Sequence, residues 1–112
     1  MEMRVSEIAW DTARVVLNGR LDMAGSAKID LPFSAAAGSN RYILVDMSDV
    51  TFIASIGIRT LVLGAKTVLR RGGKLILVSP QSEVEEVLNT IGVTDLLPIT
   101  RNNEEAMAAL RR

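Results

Sequence analysis

The stretch Tyr42-Ile43-Leu44-Val45-Asp46-Met47-Ser48-Asp49-Val50-Thr51-Phe52-Ile53-Ala54-Ser55-Ile56-Gly57-Ile58 decides how this chain is to be read. Its first four residues form a continuous apolar run with no polar alternation, the pattern of a strand buried on both faces of a parallel sheet. Met47 to Thr51 reads as a polar connection, after which the chain turns into a helix running from about Ile56 to Arg71. Ile58, Leu61, Val62, Ala65, Val68 and Leu69 recur on one face of that helix at the 3.6-residue period, and Gly72-Gly73 stop it. Leu75 to Val78 is a second apolar run and a second central strand.

Working outward, Met3–Ile8 and Arg14–Asn18 read as two strands of a hairpin, turned at Asp11-Thr12 and closed by Gly19. Met23 to Ala37 is Ala-rich and helical in pattern, with Pro32 expected to break or restart it, and Gly38 to Asn40 then read as a turn. Beyond the second central strand, Ser79 as N-cap with Pro80 at the first helical position predicts a helix whose apolar face is Val84, Val87, Leu88 and Ile91, closed by Gly92. Leu96–Ile99 reads as a short strand, placed at the sheet edge because Pro98 cannot donate to a ladder. Asn102 or Asn103 caps a last helix carrying Ala106, Met107 and Leu110. The predicted order is ββαβαβαβα, an α/β fold with a mixed, mostly parallel sheet and an N-terminal antiparallel hairpin. With 112 residues, 48% of them hydrophobic, there is material for one core, so residues 1–112 are expected to form a single domain.

Composition narrows the function. Thirteen basic residues balance thirteen acidic ones, which argues against direct nucleic-acid binding, where a positive excess is needed. No stretch reaches the roughly 20 apolar residues of a membrane span, and Met1 to Asp11 lacks the pattern of a signal peptide, so the expectation is a cytoplasmic protein without membrane insertion. The chain has no histidine and no cysteine, which removes the commonest general base, the thiol nucleophile and the usual zinc ligands. The expectation is a binding protein rather than an enzyme, with no cofactor.

In open α/β sheets, function gathers at the carboxyl ends of the strands. Here that edge holds Asp46 to Asp49, Ala54-Ser55 and Ser79-Pro80. Ser55, just before the best helix, is expected to be its N-cap, and a hydroxyl at a helix N-terminus is also well placed to carry a phosphate. The outward line Arg59, Leu63, Lys66 and Arg70 sets a leucine among cations, a pattern that suits either scattered exposure or a docking stripe. Asp46 and Asp49 invite a metal, but two carboxylates on a turn are more often solvated or capping groups, and no metal is expected. Arg70-Arg71-Gly72-Gly73-Lys74 lacks the spacing and the Ser/Thr of a phosphate loop and reads as a helix stop.

Residues 42–58, together with Gly19-Arg20-Leu21-Asp22 upstream and Gly72-Gly73-Lys74-Leu75 downstream, resemble the STAS-domain anti-sigma factor antagonists. In that family an apolar strand and a polar turn lead to Asp-Ser-Ser/Thr-Gly-Leu at a helix start. The resemblance implies partner switching: the antagonist binds an anti-sigma factor that is also a serine kinase, is released on phosphorylation, and is reset by a serine phosphatase. Ser55 matches the phosphoacceptor, Gly57 the family's glycine, and Asp22 an acidic residue near the kinase-facing surface. Asp22, Ile56, Gly57, Arg59, Leu63 and Lys66 are thus the expected partner-binding residues. Ala54 stands where the family has Asp, and Ile56 where it has a second hydroxyl residue. The alternatives are a STAS adaptor subunit whose serine is structural, or a small-ligand module binding a nucleotide or lipid in the strand-edge crevice.

Overall fold

The computed structural model of the chain describes residues 1–111, and Arg112 lies outside the described residues. Its elements are β1 (Glu2–Ala9), β2 (Thr12–Leu21), α1 (Met23–Ser39), β3 (Tyr42–Ile53), α2 (Ser55–Arg70), β4 (Lys74–Val78), α3 (Ser82–Ile91), β5 (Ile99–Thr100) and α4 (Asn103–Leu110). They form a five-stranded sheet in the order β1-β2-β3-β4-β5. The β1–β2 hairpin is antiparallel, and every later pair is parallel. The order and mixed sheet read from the sequence are therefore the observed ones.

Alternation along the central strands divides the apolar residues between two layers. Ile43, Val45, Leu75 and Leu77 join the main core with Ile29 and Phe33 of α1, Leu61 and Val68 of α2, and Val84 and Leu88 of α3. Leu44, Ile76 and Val78 point the other way and pack on Ala106 and Leu110 of α4. Three helices thus cover one face and a single helix covers the middle of the other, which explains why β3 and β4 read as unbroken apolar runs.

Several expectations are corrected. The hairpin strands are longer than read: Thr12 opens β2 and is buried rather than turning the chain. Gly19 does not end β2, which continues to Leu21 with register shifts between Val16 and Asn18 and between Gly19 and Arg20. The polar connection Met47 to Thr51 is strand, with Asp49 opposite Asn18 and Ile53 opposite Leu21. These bulges break the two-residue alternation, so the buried residues fall at Met47, Val50 and Ile53, a spacing that does not announce a strand. Helix α1 runs unbroken through Pro32 to Ser39, replacing the expected turn at Gly38 and Ser39. Pro32 lacks the N–H that would bond the Lys28 carbonyl, and both residues are exposed.

The start of α3 also differs. Gln81, not Ser79, is the N-cap, and the helix begins at Ser82. Ser79 takes the left-handed region at φ +56°, its hydroxyl donating to the Arg101 carbonyl at 2.7 Å. That bond ties the end of β4 to the segment after β5 and delays the helix. The last strand is Ile99–Thr100 rather than Leu96–Ile99, yet it is the sheet edge expected of a segment entered through Pro98, whose carbonyl accepts from Leu77 N–H. Asn102 caps α4, accepting from Glu105 N–H. Helix α2 ends at Arg70, and Leu69 and Ile91, read as core-facing, are about half exposed.

Candidate functional site

The site is built where β2 and β3 end together. Ile53 pairs with Leu21, and the next N–H, that of Ala54, donates to the Leu21 carbonyl at 3.0 Å. One strand therefore delivers Asp22 to the start of α1 while its neighbour delivers Ser55 to the start of α2. Asp22 caps α1, its carboxylate accepting from Gly25 N–H at 2.8 Å. That backbone bond, helped by Arg20, holds its carboxyl below the ordinary value. Arg20 stands over the Phe52 ring, 4.3 Å from its centre, and its Nε lies 3.4 Å from the Asp22 carboxylate.

Ser55 is not the N-cap it was expected to be. Ala54 holds that position in extended backbone and offers no side-chain acceptor, so Ser55 is the first helical residue. Its hydroxyl is exposed and makes no hydrogen bond among the described residues. An uncapped helix start leaves N–H groups and the positive end of the helix dipole facing solvent, next to that hydroxyl. Gly57, two residues on, is buried: a Cβ there would lie 2.5 Å from the Leu21 carbonyl oxygen. Its role is to let α2 settle against β2, so of the expected partner-binding residues it is the one beneath the surface.

Helices α1 and α2 frame a groove of about 520 Å³ that includes Asp30, Leu31, Ile56, Arg59, Thr60 and Leu63 in its walls. Its floor is possible because Gly64 lies against the Phe33 ring, where a Cβ would come within 2.5 Å. Thr60 donates from its hydroxyl to Asp30 at 2.8 Å, joining the two helices across the groove. Leu63 is 52% exposed and Leu31 82% exposed on opposite rims. Ile56, Arg59 and Leu63 are thus brought together in a groove that begins one residue after Ser55, whereas Lys66 is exposed but outside the groove. The groove opens between helices, not at the strand-edge crevice considered for a small ligand.

Sequence reasoning missed Leu31, Met23 and Asp30. Met23 is 76% exposed at the start of α1. Small residues and Pro32 obscure the amphipathic period of α1, so no face could be assigned to it from the sequence. Asp46, the other candidate at this edge, is committed elsewhere. It pairs with Arg14 at 2.7 Å and accepts from the Ser48 N–H and hydroxyl. Burial pushes its carboxyl upward, but the Ser48 and Arg14 bonds together bring it below the ordinary value. Among the described residues no group of three or more acidic side chains is gathered in a way that could hold a metal ion, and no helix is long and apolar enough to cross a membrane.

The chain is thus a hairpin leading into a parallel sheet, with an exposed serine opening the helix that follows the longest strand. The STAS domain family matches residues 6–106, and the chain belongs to that family. A Bordetella bronchiseptica protein described as an anti-sigma factor antagonist, BtrV, is 26% identical over 96 residues, covering 85% of this chain and 83% of its own. The crystal structure of tm1081 from Thermotoga maritima, likewise described as an anti-sigma factor antagonist, superposes with a TM-score of 0.88 at 25% identity, covering 98% of this chain and 95% of that one. The anti-sigma factor antagonist SpoIIAA in its unphosphorylated form gives 0.82 at 21% identity, over 98% and 96% of the two chains. The likeness to SpoIIAA is one of fold.

Proposed function

We propose that this protein is an anti-sigma factor antagonist whose partner, an anti-sigma factor with serine kinase activity, docks on the N-terminal end of α2 and the α1–α2 groove, and whose binding is switched by phosphorylation of Ser55. The observation that carries this reading is the state of Ser55: an exposed, unbonded hydroxyl at a helix start that no side chain caps. A kinase can reach it without unfolding the domain, and the helix dipole can receive the added charge. Asp22 at the end of β2, and the groove that runs from Ile56 and Arg59 to Leu31 and Leu63, offer the mixture of apolar and charged groups that interface centres use. A serine phosphatase would reset the cycle. A soluble cytoplasmic, non-enzymatic role suits this reading.

Ala54 in the cap position gives the adaptor alternative its one specific support, because the acceptor lacks the preceding carboxylate seen in the family. The test is to incubate the protein with a kinase-type anti-sigma factor and ATP, then measure intact mass and map the modified peptide. Modification of the wild type and none of Ser55→Ala is the expected result. Binding without modification would favour the adaptor, and modification at Ser48 or Ser79 would overturn the assignment of Ser55.

A further inference from the structure

Among the described residues, nothing pairs with strand β1 on its outer side. It ends the sheet with eight residues, contains no proline, and has its one irregularity near its end, between Glu7 and Ala9. Unprotected edges of this kind are templates for strand pairing unless charge or a bulge blocks them. The charges on β1 are arranged for pairing instead. Met3 lies opposite Leu17 and Val5 opposite Val15, so Met1, Met3 and Val5 share the face of the main core, while Glu2 and Arg4, opposite Asn18 and Val16, share the other.

We propose that β1 pairs antiparallel with β1 of a second copy of this chain, about a two-fold axis that sets Met3 opposite Met3. In that register Glu2 faces Arg4 of the other copy and Arg4 faces Glu2, while Met1 faces Val5 on the opposite side of the sheet. Every cross-strand pair is matched in kind, the arrangement that stabilises a ladder, and a two-fold contact makes each pair twice. Neighbouring registers fail this test. Centring on Arg4 sets like charges together, and centring on Val5 sets Met3 against Glu7. Val5, 48% exposed in the single chain, becomes covered. A groove of about 340 Å³ between β1 and α1, walled by Met1, Met3, Ile29 and Pro32 together with the charged Glu2, Arg4 and Lys28, borders the edge at which the second copy pairs. The edge lies across the sheet from β5 and leaves the α2 start free, so the paired form keeps two partner sites. A ladder of about five residues is small beside the roughly 1,200–2,000 Å² of stable interfaces, so pairing is reversible and concentration dependent.

The experiment is sedimentation equilibrium on the full chain from low micromolar to near millimolar concentration. The mass should rise from 12.1 kDa toward twice that value. Arg4→Glu and Glu2→Arg each set like charges opposite one another at two places and should weaken association roughly fivefold or more. Glu2→Arg with Arg4→Glu in the same chain recreates the matched pairs and should restore it. Far-UV circular dichroism on each variant confirms that the domain stays folded, as the exposure of both side chains requires. A wild type that remains at 12.1 kDa throughout would overturn the proposal, as would association indifferent to either reversal, or a double variant no better than the singles.

Discussion

At the scale of single residues, the site rests on how two residues, Asp22 and Ala54, begin two helices differently. Asp22 caps α1 with its side chain, whereas Ala54 leaves α2 uncapped. The backbone of Ala54 already has the extended conformation that an N-cap needs, at φ −101° and ψ 168°. Ala54→Asp should therefore stabilise the domain by about 0.5–2 kcal/mol, read from the urea midpoint. A loss of stability would show that the position cannot orient a carboxylate toward the first-turn N–H groups. Asp46 provides the pH test at this scale. Its folded pKa lies below the ordinary 3.8, so its stabilising effect is complete above that value and is lost as pH falls through the lower folded one. The wild type should weaken more steeply below about pH 4 than Asp46→Asn does, and equal slopes in denaturant midpoints against pH would remove Asp46 as a contributor.

At the scale of elements, α2 joins the core to the groove it shares with α1 through its two faces. Leu61 and Val68 are fully buried, and Leu63 stands on the rim of the groove with α1. Leu61→Ala should cost about 2–5 kcal/mol because it leaves a cavity beneath the helix. Leu63→Ala should change stability by no more than about 0.5 kcal/mol, the range for surface positions, while weakening partner binding. Thermal unfolding and a binding titration on both variants check this, and comparable unfolding of the two would contradict the placement of Leu63. The phase of this helix was legible because an unbroken 3.6-residue period marks it. Its partner α1 was not, since Ala, Gly and Pro32 carry too little hydrophobic contrast to show which side faces inward. The rim leucine Leu31 therefore emerged only in the folded chain.

At the scale of the whole molecule, the sheet places Ser55 at one end, apart from the core that maintains the fold. A phosphoryl group on Ser55 adds roughly −1.5 to −2 charge at a helix start that favours it. Far-UV circular dichroism and the melting temperature of the phosphoprotein should be near those of the unmodified chain. A partner pressed against Ser55 and Ile56 must instead desolvate the phosphate, which should lower affinity about tenfold or more. Affinity measured on the same two samples decides: no difference removes the switch, and a collapse in melting temperature would mean that Ser55 is packed inside.

What the sequence determined by itself is what hydrophobic period and local chemistry can encode. The apolar runs Tyr42 to Val45 and Leu75 to Val78 specified buried parallel strands, the face of α2 specified its packing, and the order of elements followed, with Ser55 placed near the start of α2 but one residue out of its observed cap register. Tertiary structure decided what depends on neighbours distant in the chain. Bulges against β2 turned Met47 to Thr51 into strand, because ladder bonds to Asn18 and Gly19 outweigh a polar composition. The bond from Ser79 to Arg101 postponed α3. Only the joining of Leu21 to Ala54 set Asp22 beside Ser55, since a hydrogen bond between two strand ends leaves no periodicity in the residues that make it.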